Sequence, residues 1–243
     1  MHRFRTEQPV QIGECISLSP QESAHALRVL RLKTADEIQL IDSLGRLWSA
    51  RITNTDAIAE AVADFELKST EAPVEVTLYM GLPKGEKLEL IAQKLTEIGA
   101  ARIVPVRMER SVARIEKSEA EKKLSRVRRI AEEAQKQSGR CFPADICYPI
   151  DFAALPKMLK QHDTALLLWE EARGYRVKDA FTKHPCAKNI AYIVGPEGGI
   201  TKDEAQSLIE AGAEAITMGP RILRAETAAI AGCAAILTLW GDL

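Results

Sequence analysis

The stretch Ile193-Val-Gly-Pro-Glu-Gly-Gly-Ile200 decides the fold of the second half of this chain, together with Met218-Gly-Pro-Arg-Ile-Leu-Arg-Ala-Glu-Thr-Ala-Ala229. Each stretch lies between an apolar, strand-like run and a helix-like run. Glycine adopts backbone conformations that other residues avoid, and it lets a ligand approach the main chain. Open α/β sheets bind ligands at the carboxyl ends of their strands. The two stretches therefore predict a small-molecule site in an α/β domain.

The second stretch is unusual in its content. Arg221, Arg224 and Glu226 lie within six residues, and a run of small residues suited to close helix packing follows at once. One interpretation is a pair of ordinary strand-to-helix connections that carry a surface ion pair. The presence of both glycine stretches, in this order, favours a functional site, because loops with unusual residue combinations are where function concentrates.

Together these stretches resemble the SPOUT methyltransferases, and specifically the ribosomal RNA small subunit methyltransferase E family. The resemblance covers essentially the whole chain, including His25-Ala-Leu-Arg-Val-Leu-Arg31, Lys84-Gly-Glu-Lys87 and the segment from Arg128 to Arg140. It implies methylation of N3 of a uridine in 16S rRNA (uridine 1498 is the family target) with S-adenosylmethionine as cofactor. It also implies that the partner is 16S rRNA or the assembled 30S subunit, with the assembled subunit favoured as substrate, and that the enzyme is a homodimer.

Two domains of unequal size are predicted, over residues 1–70 and 73–243. Short alternating segments at 12–18, 37–43, 47–52 and 57–67 indicate a small β-barrel. One helix from Pro20 to about Leu30 interrupts them, with Ser19 as its N-cap. The polar segment Lys68–Pro73 lacks periodicity and reads as a linker. The resemblance agrees, since the family carries an N-terminal PUA-like, RNA-binding barrel at this place.

The second half alternates between strand and helix patterns. Strands are predicted at 74–80, 102–106, 164–169, 190–194 and 214–218, and helices at 86–98, 118–137, 151–161, 202–211 and 225–240. Physical rules alone predict an open, unknotted, doubly wound sheet, because knots are essentially absent from proteins. The resemblance instead implies a SPOUT domain whose C-terminal segment forms a trefoil knot that builds the cofactor site.

The chemistry of N3 methylation suggests roles for the charged residues. The N3–H is mostly protonated at neutral pH, so charge must be stabilised as the proton leaves, and cations do this well. Arg224 is the predicted catalytic cation, with Arg221 as a second candidate. Glu226 could orient an arginine or act as a base. It could equally be an ordinary carboxylate favoured at a helix start.

The remaining site residues are carried over from the resemblance. Leu168 and Glu170 lie together at the end of the strand predicted at 164–169. The predicted cofactor-binding residues are Leu168, Gly195, Pro196, Glu197, Gly198, Gly199, Met218, Gly219, Leu223, Arg224 and Thr227. The predicted RNA-binding residues are Arg3, Arg5, His25, Arg28, Arg31 and Arg110. Because His25, Arg28 and Arg31 recur at three-residue spacing, they could contact phosphates or simply form a solvated helix face.

Composition describes a globular protein of 243 residues, with 46% hydrophobic and 28% charged residues and a net charge of −1. The segment from Arg102 to Arg140 is locally basic, with twelve Lys or Arg against six Asp or Glu. This segment indicates either an RNA-binding patch or a helix face of paired charges. The sequence contains no membrane-spanning run and no signal-peptide core, so a cytoplasmic location is expected.

Five scattered cysteines and four histidines complete no metal-ligand pattern, so no metal and mostly structural thiols are expected. Three functions remain open. The first is the rRNA uridine N3-methyltransferase. The second is a catalytically silent RNA-binding or assembly protein on the same scaffold, although the charged residues beside the glycines are all present. The third is a SPOUT enzyme with another RNA target, such as a tRNA ribose.

Overall fold

The computed structural model describes residues 2–113 and 117–243, and the chain divides into two compact units, Met1–Thr70 and Glu71–Leu243. The first unit has five strands: β1 (His2–Arg5), β2 (Cys15–Ser17), β3 (Glu37–Ile41), β4 (Leu47–Asn54) and β5 (Glu60–Leu67). They form one curled sheet in the order β1-β3-β4-β5-β2. β1 pairs with β3 in parallel, and the other pairs are antiparallel. β1 was absent from the sequence prediction because four residues carry too little alternation.

A helical segment separates β2 from β3 in the first unit. α1 (Pro20–Ala24) begins at Ser19, whose side chain accepts a hydrogen bond from the Glu22 backbone N–H, as predicted. The chain then widens into a π-helix over His25–Val29. A π-helical turn is rare and changes the direction of the side chains that follow it. The single helix predicted to about Leu30 is therefore two short segments of different pitch.

The second unit is a parallel sheet between two layers of helices. Its strands are β6 (Glu75–Gly81), β7 (Arg102–Arg107), β8 (Asp145–Ile146), β9 (Ile150–Asp151), β10 (Thr164–Leu168), β11 (Asn189–Val194) and β12 (Glu214–Ile216). The order is β12-β10-β11-β6-β7-β8, and β9 also pairs with β7. Every pair is parallel. This confirms the predicted alternating α/β pattern of the second half, with β8 and β9 as additions.

Side chains alternate across this sheet and create two cores. Leu166, Tyr192 and Val194 face one core, which is covered by α2 (Lys87–Ile98), α3 (Lys117–Ser138), α5 (Val177–Lys183) and α7 (Ala225–Trp240). Leu167 and Ile193 face the other core, which is covered by α4 (Leu155–Leu159) and α6 (Lys202–Glu210). A 3₁₀ turn, Phe152–Ala154, precedes α4. The carboxyl ends of β10, β11 and β12 open into the two glycine stretches.

α7 is the most apolar helix, and the sheet explains why. It packs against β6, β11, α2 and α5. Gly232 makes the contact with the sheet possible: a Cβ there would lie 2.8 Å from Leu168 Cδ2 and 3.2 Å from the Tyr192 ring. The Tyr192 hydroxyl donates to the Ala229 carbonyl at 2.9 Å. Much of the apolar surface of α7 is thus buried within the chain itself.

Candidate functional site

The two glycine stretches form opposite walls of one cavity, of about 1100 Å³, at the carboxyl ends of β10, β11 and β12. Residues 168–176 supply a third wall. Most of the predicted cofactor-binding residues line this cavity: Leu168, Gly195, Pro196, Glu197, Gly198, Gly199, Met218, Gly219, Leu223 and Arg224. Thr227 and Glu226 do not line it, and Thr227 is exposed on α7. The cavity nevertheless reaches the first turn of α7, where Ala225 and Ala228 line it.

The first glycine stretch is a tight turn in which side chains are excluded. The Gly199 N–H donates to the Pro196 carbonyl at 2.9 Å, and Gly199 has a φ of +76°. A Cβ on Gly199 would lie 2.6 Å from Glu170 Oε1, and a Cβ on Gly198 would lie 2.8 Å from Arg110 Cβ. Main-chain groups therefore form this wall, which leaves backbone donors and acceptors available to a ligand.

Two neighbours support this turn from outside the cavity. The Arg110 guanidinium donates to the Gly198 carbonyl at 3.2 Å. The buried carboxylate of Glu204 accepts from the N–H groups of Glu109 at 2.8 Å and Thr201 at 3.0 Å. Arg110, which the sequence predicts as an RNA contact, packs against the first glycine stretch.

Gly81, at the end of β6, lies directly under Pro196. A Cβ on Gly81 would lie 2.4 Å from Pro196 Cδ and 2.5 Å from its nitrogen. Only glycine lets the proline pass over the strand end at this distance. Sequence reasoning missed Gly81, because nothing in the sequence indicates that a residue 115 positions later crosses above it.

The second glycine stretch carries cations that have no acidic partner. Arg221 and Arg224 are exposed, and their side chains make no ion pair with the residues at 2–113 and 117–243. Arg173 and Arg176 line the same cavity, and the Arg173 guanidinium donates to the carbonyls of Glu170 and Ala172. Arg224 is not held by Glu226 through a salt bridge, so its charge is available to a substrate.

Glu226 instead belongs to an ion cluster with Lys87 and Glu197. Lys87 Nζ lies 2.9 Å from Glu197 Oε1 and 3.1 Å from Glu226 Oε2. Hydrogen bonds to these two carboxylates raise the pKa of Lys87. The pKa of Glu226 is lowered by its own backbone N–H and by Lys87, although burial opposes this. A carboxylate with a lowered pKa is a weak base, which argues against general-base catalysis by Glu226.

The predicted RNA-binding residues of the first unit lie on its surface. His25, Arg28 and Arg31 are exposed, and Arg31 has a positive φ of 55°. On β1, Phe4 is buried in the core of this unit, so Arg3 and Arg5 lie on the opposite face. The Arg3 guanidinium donates to Gln39 Oε1 at 2.7 and 3.0 Å.

Most arginines of the basic segment of the second unit form ion pairs. Arg102, Arg107, Arg126, Arg128 and Arg140 form ion pairs with Asp145, Asp151, Glu86 and Glu89, Glu121 and Glu71 respectively. Of the two interpretations of this segment, the paired helix face fits these contacts better. The described part of the chain contains no group of three or more histidine, cysteine, aspartate or glutamate side chains that could hold a metal ion. None of the helices in that part is long and apolar enough to cross a membrane.

The fold and the cavity correspond to an RNA methyltransferase. A sequence model described as an RNA methyltransferase domain matches residues 70–237, and one described as an RNA methyltransferase PUA domain matches residues 18–59. The chain belongs to the ribosomal RNA small subunit methyltransferase E family. Its Bacillus subtilis relative of that name is 31% identical over 237 residues, covering 95% of this chain and 93% of the relative. The Aquifex aeolicus relative is 32% identical, with coverages of 95% and 96%.

Solved structures agree with this assignment and confirm the family that the sequence suggested. The ribosomal RNA small subunit methyltransferase E of Neisseria gonorrhoeae, bound to S-adenosyl methionine, superposes with a TM-score of 0.82 at 34% identity, over 100% of this chain and 99% of that one. A putative methyltransferase of Legionella pneumophila, in complex with the same cofactor, has a TM-score of 0.79 at 28% identity, with coverages of 99% and 98%.

Proposed function

We propose that this chain methylates N3 of a uridine in 16S rRNA, the family target uridine 1498, using S-adenosylmethionine. The observation that carries the proposal is the single cavity that both glycine stretches line, in a chain of this family. We further propose that the substrate is the assembled small ribosomal subunit. A cytoplasmic location follows from that substrate.

The cavity fits this cofactor in size and in chemistry. Its volume of about 1100 Å³ is at the upper end of the range for small-molecule sites. Leu168, Val194, Met218, Leu223 and Ala228 offer apolar surface for a nucleoside, and the turn at 195–199 offers main-chain groups for its polar atoms. The residues that would hold the cofactor are those predicted from the sequence, without Thr227. The cofactor supplies a methyl group already activated on a sulfonium, so no protein nucleophile is required.

Arg224 is the proposed catalytic residue. Its exposed guanidinium lines the cavity without an acidic partner, so it can stabilise the negative charge that spreads over the uracil oxygens as N3 loses its proton. Arg221 lies three residues earlier on the same rim and could assist. Glu226, paired with Lys87, is better suited to holding the site in shape than to removing a proton.

RNA binding is proposed for the surface that carries Arg5, His25, Arg28 and Arg31, with Arg3 and Arg110 as further contacts. Support comes from their exposure and from the PUA domain match over residues 18–59. A PUA domain in an RNA methyltransferase is expected to position the substrate rather than to react with it. The Arg3 and Arg110 guanidiniums already donate within the chain, so their contribution would be smaller.

Two further features are proposed from the family resemblance: a C-terminal trefoil knot and a homodimer. For the dimer, the support in this chain is the outer face of α7, where Thr227, Ala231, Ala234 and Thr238 recur at helical spacing and remain at least partly exposed. Sedimentation at micromolar concentration is expected to give twice the single-chain mass. A species of single-chain mass would refute the dimer.

The methyl-transfer proposal is tested by mass spectrometry of 16S rRNA nucleosides. Cells that lack this gene should lose 3-methyluridine from 16S rRNA, and the wild-type gene should restore it. The variant Arg224→Ala, expressed at the same level, should not restore it. Unchanged 3-methyluridine in 16S rRNA of the deletion strain would refute the proposal. If 3-methyluridine is instead lost from another RNA, that RNA is the target.

A further inference from the structure

Lys87 occupies a position that helix stability does not explain. It is the first residue of α2, and a cation at a helix N-terminus opposes the helix dipole. The same helix contains Lys94, which pairs with Glu97 one turn away on the surface. Lys87 has no such local partner. Its side chain extends to the cofactor cavity and is about one-third exposed there.

The partners of Lys87 come from the two walls of that cavity. Glu197 belongs to the first glycine stretch, and Glu226 belongs to the first turn of α7, directly after the second stretch. The Lys84 N–H, from the turn before α2, also donates to Glu197 Oε1 at 3.1 Å. Lys87, Glu197 and Glu226, here called the Lys87 triad, therefore connect three segments that are remote in sequence.

We propose that Lys87 is a positioning residue that holds the first glycine stretch against the start of α7 and so sets the width of the cavity. The effect on cofactor binding rests on the proposed function, whereas the effect on loop order does not. The physical reason is electrostatic. Two partly buried carboxylates that share one ammonium would repel each other without it, and their burial limits screening by salt.

The contacts of Glu226 show why this carboxylate depends on the ammonium of Lys87. Its Oε2 atom is buried and accepts no aligned hydrogen bond from the described residues, so the ion pair with Lys87 at 3.1 Å is its main compensation. When Lys87 is removed, Glu197 retains the Lys84 N–H and Glu226 retains its own backbone N–H, but neither retains the shared ammonium. Loss of the ammonium should therefore disturb both the glycine turn and the start of α7.

The first experiment uses hydrogen exchange on the cofactor-free protein, so it does not depend on catalysis. In Lys87→Met, amides at 195–199 and 225–229 should exchange about tenfold faster than in the wild type, while the sheet amides stay unchanged. Lys94→Met is the matched control, because it removes a lysine from the same helix but from a surface pair. Lys87→Arg keeps the charge and should recover part of the protection.

The second experiment separates binding from turnover. Calorimetric titration with S-adenosylmethionine should give a dissociation constant about tenfold higher for Lys87→Met. The single-turnover rate at saturating cofactor should also fall, but by less than in Arg224→Ala, because Arg224 is the N-cap residue of the disturbed α7. The double variant Lys87→Met/Glu226→Gln should bind better than Lys87→Met alone, because it no longer leaves Glu226 charged and unpaired.

The outcomes distinguish this inference from the proposed function. If the wild type binds no S-adenosylmethionine, the proposed function fails, while the exchange experiment still decides the role of Lys87. Wild-type exchange at 195–199 and 225–229 in Lys87→Met would overturn the inference. If Lys87→Met exchanges faster throughout the chain, Glu226→Gln is used instead, and wild-type exchange at 225–229 in that variant would equally overturn it.

Discussion

At the scale of single residues, the cations of the site differ in whether they form ion pairs with carboxylates. Arg224 lines the cavity without an acidic partner, whereas Lys87 is shared by two carboxylates in the Lys87 triad. A cation that is held in no ion pair can respond to charge that develops on a substrate. A paired cation instead fixes the distance between the groups that it joins. We therefore expect substitutions at the two positions to affect different kinetic quantities.

Arg224→Ala should lower the single-turnover rate of methyl transfer by about a hundredfold or more, which is the scale for removing an electrostatic stabiliser. The dissociation constant for S-adenosylmethionine should change little, because interactions made only in the transition state affect turnover selectively. Arg224→Lys should recover little if the planar fork is needed. Arg129→Ala, which removes an exposed arginine from α3, is the control. Near-normal methyl transfer by Arg224→Ala would end the catalytic assignment.

Local sequence predicted those site residues that follow the strands of the parallel sheet. The glycines of both stretches, Leu168 and Arg224 lie at strand ends, and parallel strands place their carboxyl ends at one edge. The Lys87 triad joins positions up to 139 residues apart, and no periodicity reports such a pairing. Gly81 was missed for the same reason. The one local signal for Lys87 was a lysine at a helix start, where a carboxylate would be favoured.

At the scale of elements, α7 connects the core to the cavity. Gly232 brings the helix against Leu168 and Tyr192, and Leu168 is itself part of the cavity wall. The strands and helices around this contact were predicted to within a few residues. α5 was not predicted, because its seven residues are too few to establish a period. β1 and the π-helix were missed through the same shortage of local signal.

Gly232→Val should destabilise the protein by about 1–3 kcal/mol, because its Cβ would overlap Leu168 and a tyrosine ring held by its own hydrogen bond. Displacement of Leu168 should also weaken cofactor binding. Ala231→Val is the matched control, since it adds the same β-branched side chain at the adjacent, partly exposed position. Chemical denaturation measures both variants. Equal stability of the two would show that α7 can move away from the sheet at little cost.

A second contact between elements makes the stability of the protein depend on pH. Burial alone would raise the pKa of Glu214 on β12, but hydrogen bonds from Lys183 and His184 at 2.7 Å, and from the Tyr175 hydroxyl, lower it below 4.5. A carboxyl with a lowered folded-state pKa stabilises the protein above its unfolded-state value. That stabilisation is lost as the pH falls through the folded-state pKa.

Glu214→Gln should therefore lower the free energy of unfolding at pH 7 by roughly 1.5–3 kcal/mol, the range for hydrogen bonds to a charged group. The difference from the wild type should shrink as the pH falls from 7 through the lowered folded-state pKa of Glu214, where the wild-type carboxyl takes up its proton. Urea denaturation across this range provides the measurement. A difference that stays constant with pH would mean that Glu214 acts through packing alone.

At the scale of the whole molecule, the distribution of charge favours attraction of an anionic partner to local patches rather than to the whole surface. The net charge is −1, and most arginines of the segment at 102–140 are paired with acids of the same unit. Among the described residues, exposed arginines without such partners lie at the cavity rim and, in the first unit, at Arg28 and Arg31. An RNA partner would therefore be attracted to limited patches, and binding should depend on salt accordingly.

The variant Arg28→Gln/Arg31→Asn should flatten the dependence of 30S affinity on salt by about one to two logarithmic units of slope. Asparagine is chosen for position 31 because it tolerates the positive φ found there. Arg51→Gln, which removes a cation already paired with Asp64 at 2.8 Å, is the control and should change the slope less than Arg28→Gln alone. Wild-type salt dependence in the double variant would place the RNA surface elsewhere.

The glycine under Pro196 has a consequence for which sequences this fold tolerates. Gly81 and Gly85 lie four positions apart and are glycines for opposite reasons. A side chain at Gly81 has no room, whereas Gly85 has open space but a φ of +60°. In a library that contains all twenty residues at each position, selection for activity should retain glycine alone at 81. It should retain asparagine and aspartate as well as glycine at 85, because these residues adopt positive φ most readily.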